Sequence, residues 1–116
     1  MSGNTHTLEL ENEKRQRLFH FRQQMTAYGL RVCPKVAVLS TSQPNTVNLF
    51  MQTEAHPVRG YGSHIKQLKA AGFWIFRWRE LETITRKNKT TTVQRAYFRV
   101  QKVVTVYVHD ESGVRA

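Results

Sequence analysis

A segment near the carboxyl end alternates arginine with tyrosine, as Arg95, Tyr97 and Arg99. In an extended strand these three side chains lie on one face, because successive side chains alternate sides. Long cations bind phosphates and flat rings stack on unpaired bases, so a solvent-facing strand with both predicts contact with nucleic acid. The same pattern also suits a tyrosine packed between arginine stems, which supports a sheet and binds no ligand.

Cations that can reach phosphates also occur outside this segment. Some lie in the polar stretch Arg86–Thr90 between two strand-like segments, a composition that is typical of a hairpin tip. Others lie on the polar side of a short amphipathic helix predicted over Ser63–Ala71. The predicted nucleic-acid-binding residues are His64, Lys66, Gln67, Lys69, Arg77, Arg79, Arg86, Lys87, Lys89, Arg95, Tyr97 and Arg99.

The sequence offers little for catalysis or for metal binding. Its 5 histidines are scattered, and their spacing from the single cysteine, Cys33, does not resemble a zinc site. Glu80 and Glu82 share one strand face, and we interpret them as charge balance for the neighbouring Arg77 and Arg79. Metal-assisted hydrolysis needs more converging carboxylates than this. We therefore expect no enzymatic activity, no metal and no cofactor.

The charge of the chain is strongly unbalanced. Lysine and arginine number 18 against 8 aspartates and glutamates, which gives a net charge of +10 at pH 7. All the lysines and arginines except Arg115 lie between Lys14 and Lys102, whereas most of the acids lie outside that range. Such a field attracts polyanions and makes association fast and salt-sensitive. It favours nucleic acid as the partner, and the plain alternative is a solvated basic surface without a ligand.

Length and composition limit the class of protein. A chain of 116 residues predicts one domain over residues 1–116, which can bury a core without help from a metal or a disulfide. No apolar run approaches the ~20 residues that a membrane span needs, and the amino terminus lacks a cationic start followed by an apolar stretch. We therefore expect a soluble cytoplasmic protein with flexible ends at residues 1–7 and 110–116.

The first half of the chain predicts one helix and at least one strand. Apolar residues at helical spacing indicate a helix over Glu11–Ala27, closed by Gly29. Leu30–Ser40 is rich in β-branched residues and predicts a strand with an irregularity at Pro34. Thr46–Gln52 stays ambiguous, because its apolar residues fit both a strand and one face of a helix.

The second half predicts a helix followed by a hairpin. Ser63 can cap the helix Ser63–Ala71, and Gly72 stands where a left-handed residue commonly ends a helix. The strands Phe73–Thr85 and Thr91–Val108 then form the two arms of the hairpin.

The alternation within each arm predicts which face is buried. In the second arm the core face is the one that carries Ala96, Phe98, Val100, Val104, Val106 and Val108. In the first arm Trp74 and Trp78 share a face with Phe76, and we assign these three rings to the core rather than to a base-stacking surface.

These elements predict an α+β fold with a mainly antiparallel sheet, a long carboxyl-terminal hairpin and two or three helices. The order helix, strand, basic loop, strand resembles the ending of winged-helix DNA-binding domains. In those domains the helix enters the major groove, and the loop contacts the backbone or the minor groove. The resemblance covers about the last half of such a domain.

We therefore expect a non-catalytic nucleic-acid-binding protein, with DNA favoured over RNA and single strands left open by Arg95, Tyr97 and Arg99. The alternative is a small protein-interaction module, an inhibitor or accessory factor that docks on an acidic protein. The strand Ala96–Val108 is long and valine-rich, so its uncovered edge predicts a homodimer. The competing arrangement pairs that edge with Val36–Ser40 or Val47–Met51 of the same chain.

Overall fold

The fold is taken from a computed structural model, which describes residues 3–109 and, in the first helix, the side chains from Leu8 onward. In chain order the elements are α1 (Gly3–Thr26), β1 (Ala37–Ser40), β2 (Thr46–Gln52), β3 (His56–Pro57), α2 (Gly62–Ala70), β4 (Trp74–Arg86) and β5 (Lys89–Tyr107). The expected flexible ends fall partly on residues 1–2 and 110–116, which lie outside the described residues.

The central strand of the five-stranded antiparallel sheet is β5. Along one edge it pairs with β4, from Arg86 opposite Lys89 to Trp74 opposite Gln101. Along the other edge it pairs with β2 and then with β3, so Gln101 lies between Trp74 and Gln52. β1 pairs with the outer edge of β2. Of the two pairings in the competing arrangement, the one between the last strand and Val47–Met51 is therefore confirmed, whereas Ala37–Ser40 pairs with β2 and not with β5.

Both helices pack on one face of this sheet, which gives two layers around one hydrophobic core. The buried residues come from α1, α2, β2, β5 and the connection after α1: Phe21, Met25, Leu30, Val32, Val36, Leu49, Met51, Ile65, Leu68, Phe98, Val100 and Val106. The predicted α+β class is confirmed, and so is the core face of β5, where Ala96 is the exception because it is exposed.

The helices agree with the sequence at their carboxyl ends and differ at their amino ends. α1 begins at Gly3 instead of Glu11, and its chain turns at Gly29, whose φ is +74°. α2 begins at Gly62 with Tyr61 at the N-cap and no side-chain cap. The predicted Ser63 cap is therefore wrong, since Ser63 lies inside the helix.

The ambiguous segment Thr46–Gln52 is a strand, so its helical alternative is wrong. Burial decides the matter: Leu49 and Met51 insert into the core at a spacing of two residues. Of the predicted strand Leu30–Ser40, only Ala37–Ser40 is regular, and Val32 forms a single bridge to Thr53.

The β4–β5 hairpin extends far beyond the rest of the sheet. We call the paired segments 79–86 and 89–96, with their connecting turn, the arm. Eight residues per strand make the arm about 26 Å long at roughly 3.3 Å per residue, and the whole molecule measures 72 × 29 × 23 Å. No side chain of the arm is buried. The arm is thus a two-stranded ribbon that projects from the body.

The winged-helix resemblance is not confirmed by this arrangement. Trp74 at the base of β4 and Arg86 at the end of the arm are 12 residues apart, or about 40 Å at 3.3 Å per residue. A wing must reach the same stretch of duplex as its helix. Here the basic tip lies far from α2 because the hairpin is so long.

Candidate nucleic-acid interface

The sheet face opposite the helices carries most of the exposed aromatic surface, and we call it the open face. On it Trp74 is 70% exposed, Phe76 is 49% exposed and Trp78 is half-buried. Assigning these three rings to the core was therefore wrong. The pairing register explains the outcome, since Trp78 lies opposite Tyr97 and both strands turn this face away from Phe98 and the core.

Three rings on the open face form a stack, which we call the ring column. The Phe76 and Trp78 centroids lie 5.5 Å apart with 29° between the ring planes. Trp78 and Tyr97 follow across the strand pair at 5.9 Å and 23°. Such near-parallel rings present a planar aromatic surface on which a base can stack.

Arg99 is held against this column. Its guanidinium carbon lies 5.8 Å from the centre of the Trp78 ring. Nη1 donates to the Thr53 carbonyl oxygen at 3.2 Å and to the Cys33 sulfur at 3.7 Å. Both of these bonds use one nitrogen, so the side chain is oriented while its other N–H groups can serve a ligand. Arg99 thus places a fixed positive charge beside the rings.

Arg95 is engaged differently from Arg99. It forms an ion pair with Glu82 across the strands, and the Trp78 indole N–H donates to Glu80 at 2.8 Å. Interpreting both acids as charge balance for Arg77 and Arg79 was therefore wrong: one acid orients a ring of the column and the other orients a different arginine.

Arg77 and Arg79 lie on the opposite face of the hairpin from the ring column. Their strand partners are Phe98 and Ala96, which belong to the helix-side face. Both arginines are exposed. The Arg/Tyr alternation of β5 and the arginines of β4 therefore present their charges in opposite directions.

The hairpin tip is a two-residue turn that presents cations on both sides. Lys87 and Asn88 both have positive φ, at +49° and +64°, as a type I′ turn requires. Arg86 and Lys89 face each other at the end of the ladder. All three tip cations are exposed at the far end of the arm.

The predicted α2 residues form a separate group. Lys66, Gln67 and Lys69 are exposed, but α2 packs on the helix-side face, so they cannot join the ring column. His64 is half-buried, with ring centroids 5.4 Å from Tyr28 and 5.7 Å from Tyr61. The structure thus divides the predicted set between two faces and the arm.

Sequence reasoning missed Trp74, Phe76 and Trp78 as candidate ligand contacts, although a signal was present. These rings alternate in step with Glu80 and Glu82, so all five side chains share one strand face. A strand face that carries two carboxylates is seldom buried, because burying charge costs free energy.

His56 is the buried titratable residue at the junction of β3 and the core. Its Nε2 accepts from the Arg31 backbone N–H at 3.3 Å, and its Nδ1 donates to the Glu54 carbonyl oxygen at 2.8 Å. Burial lowers the pKa of His56 below 6.5. Since this arrangement uses the neutral ring and both of its nitrogens, His56 stabilises the body and is not available to a ligand.

No protein-family model, curated protein or solved structure matches this chain. Within residues 3–109, no helix is both long and apolar enough to cross a membrane. The functional assignment therefore depends on the geometry of the open face, the arm and α2.

Proposed function

We propose that this protein binds nucleic acid without catalysing a reaction, and that unpaired bases stack on the ring column while cations hold the phosphates. The observation that carries the proposal is the stack of Phe76, Trp78 and Tyr97 on the open face, with Arg99 held beside it. Bases in a duplex already stack on one another, so exposed rings favour a single strand.

The arm supplies the second part of the proposed site. An isolated two-stranded hairpin is marginally stable in water, and this arm buries none of its side chains. Its tip carries Arg86, Lys87 and Lys89. A polyanion that bridges these cations would neutralise their mutual repulsion, and a strand that leaves the ring column along the hairpin would reach them.

The preference for DNA over RNA rests on the winged-helix-like order of elements in the sequence alone, because the tip lies too far from α2 for both to contact a short duplex as a wing and its helix do. The alternative function, docking on an acidic protein, would use the same exposed rings as hot spots. Affinity for nucleic acid is spread over many phosphates and falls steeply with salt. A protein interface centred on a few rings loses much less affinity when the salt concentration is raised.

Tryptophan fluorescence tests the proposal directly, because Trp74 and Trp78 are the 2 tryptophans of the chain and both lie on the open face. The titrants are oligodeoxythymidylate, oligouridylate, a DNA duplex of equal charge, and heparin, which is a polyanion without bases. We expect strong quenching by the single strands, weaker quenching by the duplex and little by heparin.

Each outcome of this titration has a defined meaning. A Trp74→Phe variant isolates Trp78, and its quenching should persist if bases reach the ring column. Binding without quenching would indicate that the nucleic acid contacts α2 and the tip and not the ring column. No binding of any titrant at low salt would overturn the proposed function and favour the acidic protein partner.

A further inference from the structure

Within residues 3–109, part of one edge of β5 has no strand beside it. On the edge that β4 occupies, pairing stops at Trp74 opposite Gln101, whereas β5 continues to Tyr107. We call residues 103–107 on this side the free edge. Among the described residues, no backbone hydrogen bond reaches the free edge from outside β5.

The backbone of the free edge points outward at every second residue. The Val108 N–H donates to the Asn45 carbonyl oxygen on the β2 side, and backbone groups along an antiparallel strand alternate between its two edges. The N–H and C=O groups of Val103, Thr105 and Tyr107 therefore point to the free edge. Such a row of unpaired groups is a template for another strand.

The side chains of this segment do not protect the free edge from pairing with another strand. Residues 103–107 contain no charge and no proline, although charge, proline and bulges are the usual protections. Val103 is 53% exposed and Tyr107 is 77% exposed. The charge nearest in sequence, Lys102, lies outside this segment, and its amine is 5.3 Å from the centre of the Phe73 ring.

We propose that the free edge pairs with the free edge of a second copy, antiparallel about a two-fold axis at Thr105. In this register Val103 lies opposite Tyr107 of the second copy, a β-branched and aromatic pair of the kind that stabilises sheets. The length of the free edge also suits this register. Its five residues begin just after the Trp74–Gln101 pair, where β4 ends its pairing with β5, and finish at Tyr107, the last residue of β5.

Self-pairing is favoured over an acidic peptide because the segment offers no cation to recognise one and is complementary to itself. In the dimer the two sheets form one continuous sheet, with β1 and β2 of each copy at its outer sides. An in-plane strand pairing puts both open faces on the same side. If the proposed function holds, two ring columns then line one surface and the length of nucleic acid bound per particle doubles.

A crosslink tests the register. In a Cys33→Ser background, Thr105→Cys places two thiols at the axis, where hydrogen-bonded antiparallel partners lie about 5.5 Å apart between Cα atoms, within the range that a disulfide spans. Thr91→Cys is the matched control, because Thr91 is an exposed threonine on the same strand but in the arm. We expect mild oxidation to crosslink the Thr105→Cys protein at least tenfold faster than the control.

Sedimentation velocity without nucleic acid tests the association itself, so failure of the dimer and failure of nucleic-acid binding are distinguishable. We expect a dimer at high micromolar concentration and a shift to monomer for Val103→Lys combined with Tyr107→Lys, which oppose like charges across the axis. Circular dichroism establishes that each variant is folded. A strictly monomeric natural chain, or equal crosslinking of the two cysteine variants, would overturn the proposal.

Discussion

The Tyr97 ring stacks on the Trp78 ring across the β4–β5 pair, with centroids 5.9 Å apart and 23° between the planes. The two residues are direct partners in the sheet register, so the backbone ladder positions the rings. The Trp78 indole is oriented further by its hydrogen bond to Glu80. Rings held in this way lose little freedom when a base stacks on them, which favours binding.

Removing one ring of the column should weaken single-strand binding selectively. We expect Tyr97→Ala to cost about 1–3 kcal/mol in binding of oligodeoxythymidylate, and much less in binding of a duplex. Leu81→Ala is the matched control, because Leu81 is an exposed apolar residue on the opposite face of the hairpin from the ring column. Fluorescence anisotropy with labelled oligonucleotides measures both affinities. Equal, small losses on the two ligands would indicate that Tyr97 only supports the sheet.

Neutralising the tip should weaken binding to every sequence alike. The triple variant Arg86→Ala, Lys87→Ala, Lys89→Ala leaves the core untouched, so the folded structure should persist. If each cation contacts one phosphate, the slope of log K against log salt should fall by roughly 0.7 per contact on single strands and 0.9 on duplex. Titrations at several salt concentrations measure the slope, and an unchanged slope would exclude the tip from the site.

The turn of the arm can be tested without changing its charge. Asn88 adopts a φ of +64°, which glycine adopts without steric cost. We expect Asn88→Gly to stabilise the hairpin by up to about 1 kcal/mol and Asn88→Ala to destabilise it by a similar amount. Hydrogen exchange of the arm amides measures this locally. Faster exchange in the glycine variant would contradict the type I′ geometry.

The stability of the body should depend on pH through His56. Its pKa in the folded protein is lowered by burial, so the neutral ring stabilises the fold fully above the unfolded value of about 6.5. That contribution is lost as the pH falls from 6.5 towards the folded pKa. We expect the melting temperature to drop between pH 7.5 and 5.5.

Two variants isolate the contribution of His56 to this pH dependence. His56→Gln should melt lower at pH 7.5 and show a flatter dependence over the same range. His20→Gln, at an exposed position on α1, should keep the slope of the natural protein. If the melting temperatures of the natural protein and of His56→Gln change equally with pH, His56 does not cause the pH dependence.

The sequence by itself determined the local features of this protein. Gly29 and Gly72 take the left-handed φ that stops each helix, and the polar run around Lys87 and Asn88 becomes the hairpin turn. The period of two along β5 identified its valine-rich core face. Each of these features depends on neighbours in the chain, so a single sequence contains the information.

Tertiary structure alone decided which face of β4 is exposed and which arginine meets which acid. A period of two defines two faces but not which one the helices cover, and a shift of the register by one residue would exchange them. The pairing of Trp78 with Tyr97 places the rings outside, and the ion pair of Arg95 with Glu82 follows from the same register. Contacts between residues far apart in the chain depend on packing against α1 and α2, which no local pattern specifies.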